Sequence, residues 1–367
     1  MSDLFEQPAE TPSGAPPAGS ETVAPRPALL WLDPEQAHLL RSVADHANLE
    51  VVQAGMPASA RRSASSDALD AFENAQPFDD LRHAVASTDA KVVLLASGGE
   101  DDRGASMLDD FELVQTCRER GIALFAMEPS PGSVVDLSKF EAAEGIDPVR
   151  MVPMLRDSRV FGDAMELLDQ LGRVRTVAIS ARCGPRQGTL GARLYDAMAI
   201  VHALLGLPDR IDASVVTGVT GSGVYQEPAT SIRKLRGDLT ANIRFAGGRA
   251  ASLALSDRAG AWARGVTVLG EKGCLRVNDA ELELTGINGE LLDRSSIAPP
   301  FDPASGGPDR AAAIIADQLK RALDVHAPQP TPMDRARVLA MCEAAILSAR
   351  TGEAEYPQTI LQMGGQR

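Results

Sequence analysis

The sequence predicts two domains of different class: an α/β domain built on a Rossmann-like parallel sheet with helices, then an α+β domain with a large, mostly antiparallel open sheet and helices. Three observations carry this. From residue 28 apolar strand runs alternate with amphipathic helical patterns, which demands a parallel sheet with right-handed crossovers. After about residue 148 short strand runs follow one another at close spacing, separated by Gly- or Asp-bearing turns. At 367 residues, 44% of them hydrophobic and 23% charged, the chain can bury two sizeable cores.

Residues 1–27, acidic at first and rich in Pro, Ala, Ser and Gly, read as a disordered tail. The Rossmann-like domain is assigned to 28–147. "ALLWL" (28–32) is a buried strand, and Leu40, Val43, Ala44 and Ala47 then recur at the spacing of a helix packed on a sheet. "LEVVQA" is a second strand, "FDDLRHAVA" a short helix and "AKVVLLAS" (90–97) a buried strand. "MLDDFELVQTCRERG" (107–121) is a helix stopped by Gly121, and "IALFAM" (122–127) closes the series.

The second domain is assigned to 148–367. "RVFGDAMELLDQLG" is a helix leading into the strand "VRTVAIS"; Leu194, Ala197, Met198 and Val201 mark another helix, ending at Gly206. The runs "ASVVTGV", "DLTANIRFAGG", "RAASLALS", "GVTVLG", "GCLRV" and "ELELTG" form the antiparallel sheet. Two helices, about 308–325 and 333–350, finish the pattern. In the last one Val338, Cys342, Ala345, Ile346 and Ala349 share one face, which makes Cys342 a core residue.

Charge and composition narrow the function. A net charge of -14 argues against general nucleic-acid binding, because a duplex would be repelled. Lysine occurs only at 91, 139, 234, 272 and 320, so 31 of the 36 basic residues are arginine and lysine chemistry has few candidates. Four separated cysteines and five scattered histidines make no metal-binding pattern and fit a reducing, cytoplasmic setting. The start lacks the pattern of a signal peptide, and no run of about eighteen apolar residues predicts a membrane span.

The order of elements resembles the Gfo/Idh/MocA family, the group of glucose–fructose oxidoreductase and inositol dehydrogenase. The stretches "QPFDDLRHAVASTDAKVVLLAS", "CRERGIALFAMEPSP", "LDQLGRVRTVAIS", "LYDAMAIVHALLGLP", "VTVLGEKGCLRV" and "CEAAILSARTGEAEYP" carry the likeness, which covers nearly all of 28–357. The resemblance implies an N-terminal dinucleotide-binding domain and a C-terminal domain whose sheet helps bind substrate and partner subunits.

Each position that would carry that family's chemistry departs from its pattern. Where the family places Gly-x-Gly-x-x-Gly, for a tight turn and close backbone approach to pyrophosphate, this chain has "LDPEQA". Asp33 is placed as N-cap, Pro34 as first helical residue and Gln36 as the far half of a capping box. Carboxylates at Asp33 and Glu35 would repel a phosphate by roughly 4 kcal/mol each at ~4 Å and an effective dielectric near 20. At the end of the second strand, where an acid would hold the ribose of NAD, "VVQAGMP" places Gly55, and no acid follows before Glu73. Arg61 and Arg62 are the nearest cations for the 2′-phosphate of NADP, although charged residues at such a place more often belong to a solvated loop, the reading preferred here.

The family's Glu-Lys-Pro motif, aligned on Pro129, becomes Met127, Glu128 and Pro129, with Lys139 too distant to substitute. Counting back from Gly206 puts Asp196 at the family's catalytic histidine position and Ala192 at its aspartate position, while His202 points elsewhere round the helix. Asp196 lies opposite the apolar stripe, which fits a solvated carboxylate or, if buried, a general base. The glycine-bearing loop 183–191 and the stretch 218–237 border the expected cleft, where Arg182, Arg186 and Arg193 could meet an anionic or polyhydroxy ligand.

The sequence is therefore read as a diverged, non-redox version of that architecture. It would bind a small polar, sugar-like ligand or act as an accessory subunit, and form a homo- or hetero-oligomer through the antiparallel sheet. The resemblance also implies an alternative: an NAD- or NADP-dependent oxidoreductase on a sugar or cyclitol derivative, with Asp33, Ser97 and Gly98 lining the cofactor and Asp196 as base. A third reading is a carbohydrate lyase or hydrolase using Glu128 and Asp196.

Overall fold

The computed structural model describes residues 24–57, 60, 68–97, 107–142, 149–217, 229–296, 309–328 and 330–364. The first sheet contains β1 (Arg26–Trp31), β2 (Leu49–Gly55), β3 (Gln76–Phe78), β4 (Val92–Leu95), β5 (Ala123–Ala126) and β6 (Arg150–Met151). Its order is β3-β2-β1-β4-β5-β6 with every pair parallel, the arrangement of a doubly wound dinucleotide-binding sheet. Helices α1 (Ala37–Ala47), α2 (Leu81–Ser87), α3 (Phe111–Glu119) and α4 (Val134–Ala142) connect or flank these strands. β1 and β4 are apolar on both faces because helices cover both.

Two boundaries differ from the sequence reading. β1 begins at Arg26, inside the segment assigned to the tail, because Arg26 and Pro27 extend the register onto Leu49 and Glu50. The helix expected over 107–121 is divided: Asp110 caps α3 by accepting the amides of Glu112 and Leu113, so 107–109 form a separate turn.

The second sheet has the order β14-β13-β12-β11-β7-β10-β9-β8. Its strands are β7 (Val174–Arg182), β8 (Arg210–Val216), β9 (Asp238–Arg244), β10 (Ala250–Ser256), β11 (Ala263–Gly270), β12 (Gly273–Asn278), β13 (Glu281–Gly286) and β14 (Leu291–Ser296). All pairs are antiparallel except β7 with β10. Strand alternation puts Val177, Ile179 and Ala181 into a core with α6 (Leu190–Leu205) and α8 (Arg335–Thr351), while Ala178 and Ser180 lie on an open face. Cys342 is fully buried in that core.

Between the domains run α5 (Arg159–Glu166) and the two-residue β6, which lies just past residue 148 yet completes the first sheet. α7 (Arg310–Leu323) returns from the second half of the chain to pack on α1, burying Ala311, Ala312, Ile315 and Leu319 in the first domain's core. α9 (Pro357–Gly364) closes the chain against α4 and α8. Cys183 and Trp262, from the second domain, belong to the same core as Leu32 and Ala37, so the seam lies directly beside the β1–α1 turn.

Candidate functional site

The site is built where the C-terminal ends of β1, β4 and β5 meet the N-terminus of α6. After β1 the chain makes a short 3-10 turn, Pro34–Gln36, before α1 starts. The Asp33 amide donates to Gln36 Oε1 at 3.0 Å, the Gln36 amide to the Asp33 carbonyl at 2.9 Å, and Gln36 Nε2 to the Ala96 carbonyl at 3.1 Å. Pro34 supplies no N–H. The Asp33 carboxylate is held across the sheet by Ser97, whose hydroxyl donates at 2.8 Å. Burial pushes its pKa up, with the Ser97 bond and the nearby Arg236 opposing. Asp33 and Ser97 thus meet at the ends of β1 and β4; Gly98 lies outside the described residues.

At the end of β2, Gly55 has a packing role that the sequence did not disclose. A Cβ there would lie 2.6 Å from the Phe78 ring, and that ring stacks on Trp31 with centroids 5.5 Å apart. Aromatic side chains therefore fill the wall beside the strand end where a ribose-binding acid would project. Arg61 and Arg62 lie outside the described residues.

Glu128, at the end of β5, is 3% exposed and accepts the Thr189 hydroxyl at 2.6 Å. Burial pushes its pKa up to about 7, with the Thr189 bond, Arg236, Arg233 and Arg193 pulling the other way. Thr189 also caps α6, accepting the Ala192 amide at 3.1 Å. Arg233 is fixed by Asp109 and the Pro129 carbonyl. Asp257 accepts the amides of Leu190 and Gly237 at 3.2 and 2.9 Å. Lys139 stays far from this chemistry, exposed on α4 and paired with Asp136 at 2.6 Å.

α6 is buried on nearly every side from Leu190 to Val201, which corrects the expectation of a solvated Asp196. Asp196 is 2% exposed: Oδ2 accepts from Arg264 at 2.7 Å and Oδ1 from the Leu155 amide at 2.8 Å. Arg264 also binds Asp279 at 2.6 Å and rests 4.9 Å from the Trp262 ring centroid. Arg193, one turn earlier, is 1% exposed, with its guanidinium carbon 4.2 Å from the centroid of the same Trp262 ring. Its three side-chain nitrogens have no hydrogen-bond partner among the described residues.

Arg182 does not join Arg193. Strand alternation turns it onto the exposed face of β7, opposite the side covered by α6, and this corrects its expected place in the cleft. Arg186 is exposed as well. Sequence reasoning missed Trp262, Arg264 and Thr189. The first two lie more than sixty residues from Asp196 and Arg193, the α6 side chains they contact, and only Thr189, directly before an apolar helix, carried a local signal as an N-cap.

The fold defines a class of architecture: the two-domain arrangement of Gfo/Idh/MocA-type oxidoreductases. No family model and no curated protein matches the sequence. Among solved structures, an oxidoreductase from Agrobacterium radiobacter in complex with NAD+, L-tartaric acid and magnesium superposes with a TM-score of 0.60 at 16% identity, covering 92% of this chain and all of that one. Levoglucosan dehydrogenase in complex with NADH and L-sorbose gives 0.60 at 16%, covering 91% and 99%. A myo-inositol dehydrogenase from Corynebacterium glutamicum gives 0.56 at 14%, covering 90% and 98%. At these identities the likeness is one of fold.

Among the described residues no helix is long and apolar enough to cross a membrane, and no cluster of metal-ligating side chains occurs.

Proposed function

We propose that this chain is a pseudoenzyme of the oxidoreductase fold that binds a small polar ligand in the seam between its domains and uses no nicotinamide dinucleotide in the standard pose. The observation that carries this reading is the β1–α1 turn. Its amides at Asp33 and Gln36 are already taken, Pro34 has none to give, and a carboxylate stands where pyrophosphate would dock. The turn therefore does not fit the cofactor named in the complexes of the structural neighbours. Two further positions agree: Glu128 replaces an ammonium with a buried carboxyl group, and Asp196 is spent on Arg264 and the Leu155 amide.

The alternative oxidoreductase reading would need Asp196 as a general base. A base must be free to take a proton from substrate. Here both carboxylate oxygens are engaged and the group is sealed from solvent. The same engagement weakens a lyase or hydrolase using Glu128 and Asp196 as an acid/base pair.

The open face of the second sheet, with exposed Ala178, Ser180, Ser252 and Ala254, is the surface by which a second copy or an accessory partner would assemble. Four free cysteines agree with a cytoplasmic setting. The test is thermal unfolding of the full chain with NAD(H), NADP(H), neutral sugars, cyclitols and sugar acids. Ligand at ~100-fold excess over Kd stabilises by roughly 2.7 kcal/mol, so binding is easily detected. A melting shift with a sugar-type ligand and none with the dinucleotides is expected, and a dinucleotide-specific shift would overturn the reading.

A further inference from the structure

We propose that Glu128 is a proton-operated latch between the two domains: with its proton on, the seam is shut, and with the proton lost to solvent, the N-terminus of α6 parts from the end of β5. The latch needs no ligand, so it stands apart from the ligand-binding reading above.

Two neighbouring residues of the first domain hold the second. The Pro129 carbonyl accepts from Arg233 Nε at 2.8 Å, and the same guanidinium is bound to Asp109. One residue earlier, Glu128 accepts the Thr189 hydroxyl at 2.6 Å, and Thr189 in turn caps α6 by accepting the Ala192 amide. The two contacts differ in kind. Arginine keeps its charge throughout the neutral range, whereas a carboxyl group can change charge there once it is buried.

The closed seam suits a neutral carboxyl group. Glu128 is 3% exposed, and the Thr189 hydroxyl is its one hydrogen-bond partner among the described residues. A buried carboxylate needs a close counter-charge or several donors, and a lone neutral hydroxyl falls short of that. Three arginines act on the group across the seam, each engaged elsewhere. Arg233 is on Asp109 and the Pro129 carbonyl. Arg236 donates to the carbonyls of Arg233 and Leu235 at 2.7 and 2.8 Å and lies 3.9 Å from Asp257, which Arg258 approaches to 3.8 Å. Arg193 rests over Trp262, and with Arg264 it balances Asp196 and Asp279. Two more titratable groups complete the surroundings: the buried Cys183 thiol, which burial pushes up, and Asp33, which is tied to Ser97 and faces Arg236 from the β1 side. Burial outweighs Thr189 and the arginines, and pushes Glu128 up to about 7.

When the carboxyl O–H bond breaks, the proton passes to water and a full negative charge is left in a desolvated seam. Water reaches that charge once Thr189 moves away. The move disturbs little else, because Ala192 stays on Thr189 and the Leu190 amide stays on Asp257. Arg233 stays on Asp109, so the domains remain joined and the parting is local.

Amide exchange of the full chain, read by mass spectrometry from about pH 5 to about pH 8 and corrected for the chemical exchange rate, tests the latch. Residues 189–193 should exchange through an opening that grows about 70-fold over that range. This is the linkage of a carboxyl group with a pKa of about 7 when shut and 4.5 when exposed. The growth should vanish in Glu128→Gln, which is neutral at every pH. In the parent the opening should be insensitive to low urea, unlike exchange in β1 and β4, which proceeds by global unfolding and exposes far more surface.

No growth with pH would mean that Arg236 turns onto the carboxylate and holds the seam shut, and would overturn the latch. Equal growth in Glu128→Gln would place the titrating group elsewhere and overturn it too. If 189–193 shows the urea dependence of β1 and β4, the seam opens only when the chain unfolds. That result overturns the latch from the parent protein alone, whether or not the variant folds. The melting-temperature panel with dinucleotides and sugars is read separately, so the latch and the ligand-binding reading fail independently.

Discussion

Replacing Arg264 by methionine should be among the most damaging single changes in the second domain, and the reason is local. The Arg264 guanidinium holds two carboxylates at once, Asp196 at 2.7 Å and Asp279 at 2.6 Å, and all three side chains are 2–3% exposed. Met fills much of the same volume, so the cavity contribution is small. What remains is electrostatic: two buried carboxylates without their shared cation. Asp279 keeps a bond from Trp262 Nε1 at 3.0 Å and a distant Arg310 at 4.0 Å, whereas Asp196 keeps only the Leu155 amide. Breaking a buried pair by removing one partner costs about 3–5 kcal/mol. For a domain of this size each kcal/mol lowers the melting temperature by about 2–4 °C, so a fall of about 6–20 °C is expected. Urea and thermal unfolding of the parent, Arg264→Met, Asp196→Asn and the double variant provide the assay. The double variant should be less unstable than the sum of the two singles, by about 0.5–3 kcal/mol, because one uncompensated charge has gone. If Arg264→Met unfolds within about 1 kcal/mol of the parent, Asp196 is not the structural anion described here.

Three further perturbations probe the first domain and its seam. Glu128 has a folded pKa of about 7 against an ordinary 4.5, so the folded state binds more protons between those values. Stability should therefore fall as pH rises from about 4.5 to 7, by about 3 kcal/mol, and Glu128→Gln should flatten that part of the profile in pH-dependent urea unfolding. Gly55→Ala drives a methyl group to 2.6 Å from the Phe78 ring and should cost about 1–3 kcal/mol, with much of the loss recovered by Phe78→Leu in chemical unfolding. Gln36→Ala removes the acceptor for the Asp33 amide and the donor to the Ala96 carbonyl; a loss of about 1–2 kcal/mol is expected, measured by amide exchange and thermal unfolding.

Most of the fold was readable because its strands announce themselves. β1 and β4 are buried on both faces and so appear as unbroken apolar runs, while β7, β9 and β10 alternate because one face is open. β14 left no such trace: Leu291 and Leu292 are exposed, and no buried residue marks an inner face. β3 and β6, at three and two residues, are too short to show a period.

The site was legible where its contacts are local and opaque where they are not. The turn at Asp33–Gln36 is written in adjacent residues with known capping preferences. Asp196 reads as the polar side of an amphipathic helix and Arg193 as a cation at the cleft mouth, since periodicity reports charge and spacing but not what lies opposite. The partners that bury them, Arg264 and Trp262, come from β11 and the loop just before it. Phe78 explains Gly55 only once β3 is paired beside β2.

The central claim is that the first βα turn, closed by its own side chains, has no place for a diphosphate. Trp31 is the last residue of β1, directly before that turn, so a bound NADH would accept its excitation energy. Titrating the full chain with millimolar NADH and NADPH should produce no saturable energy transfer and leave the melting temperature unchanged. Saturable transfer from Trp31, accompanied by a rise in melting temperature, would contradict it.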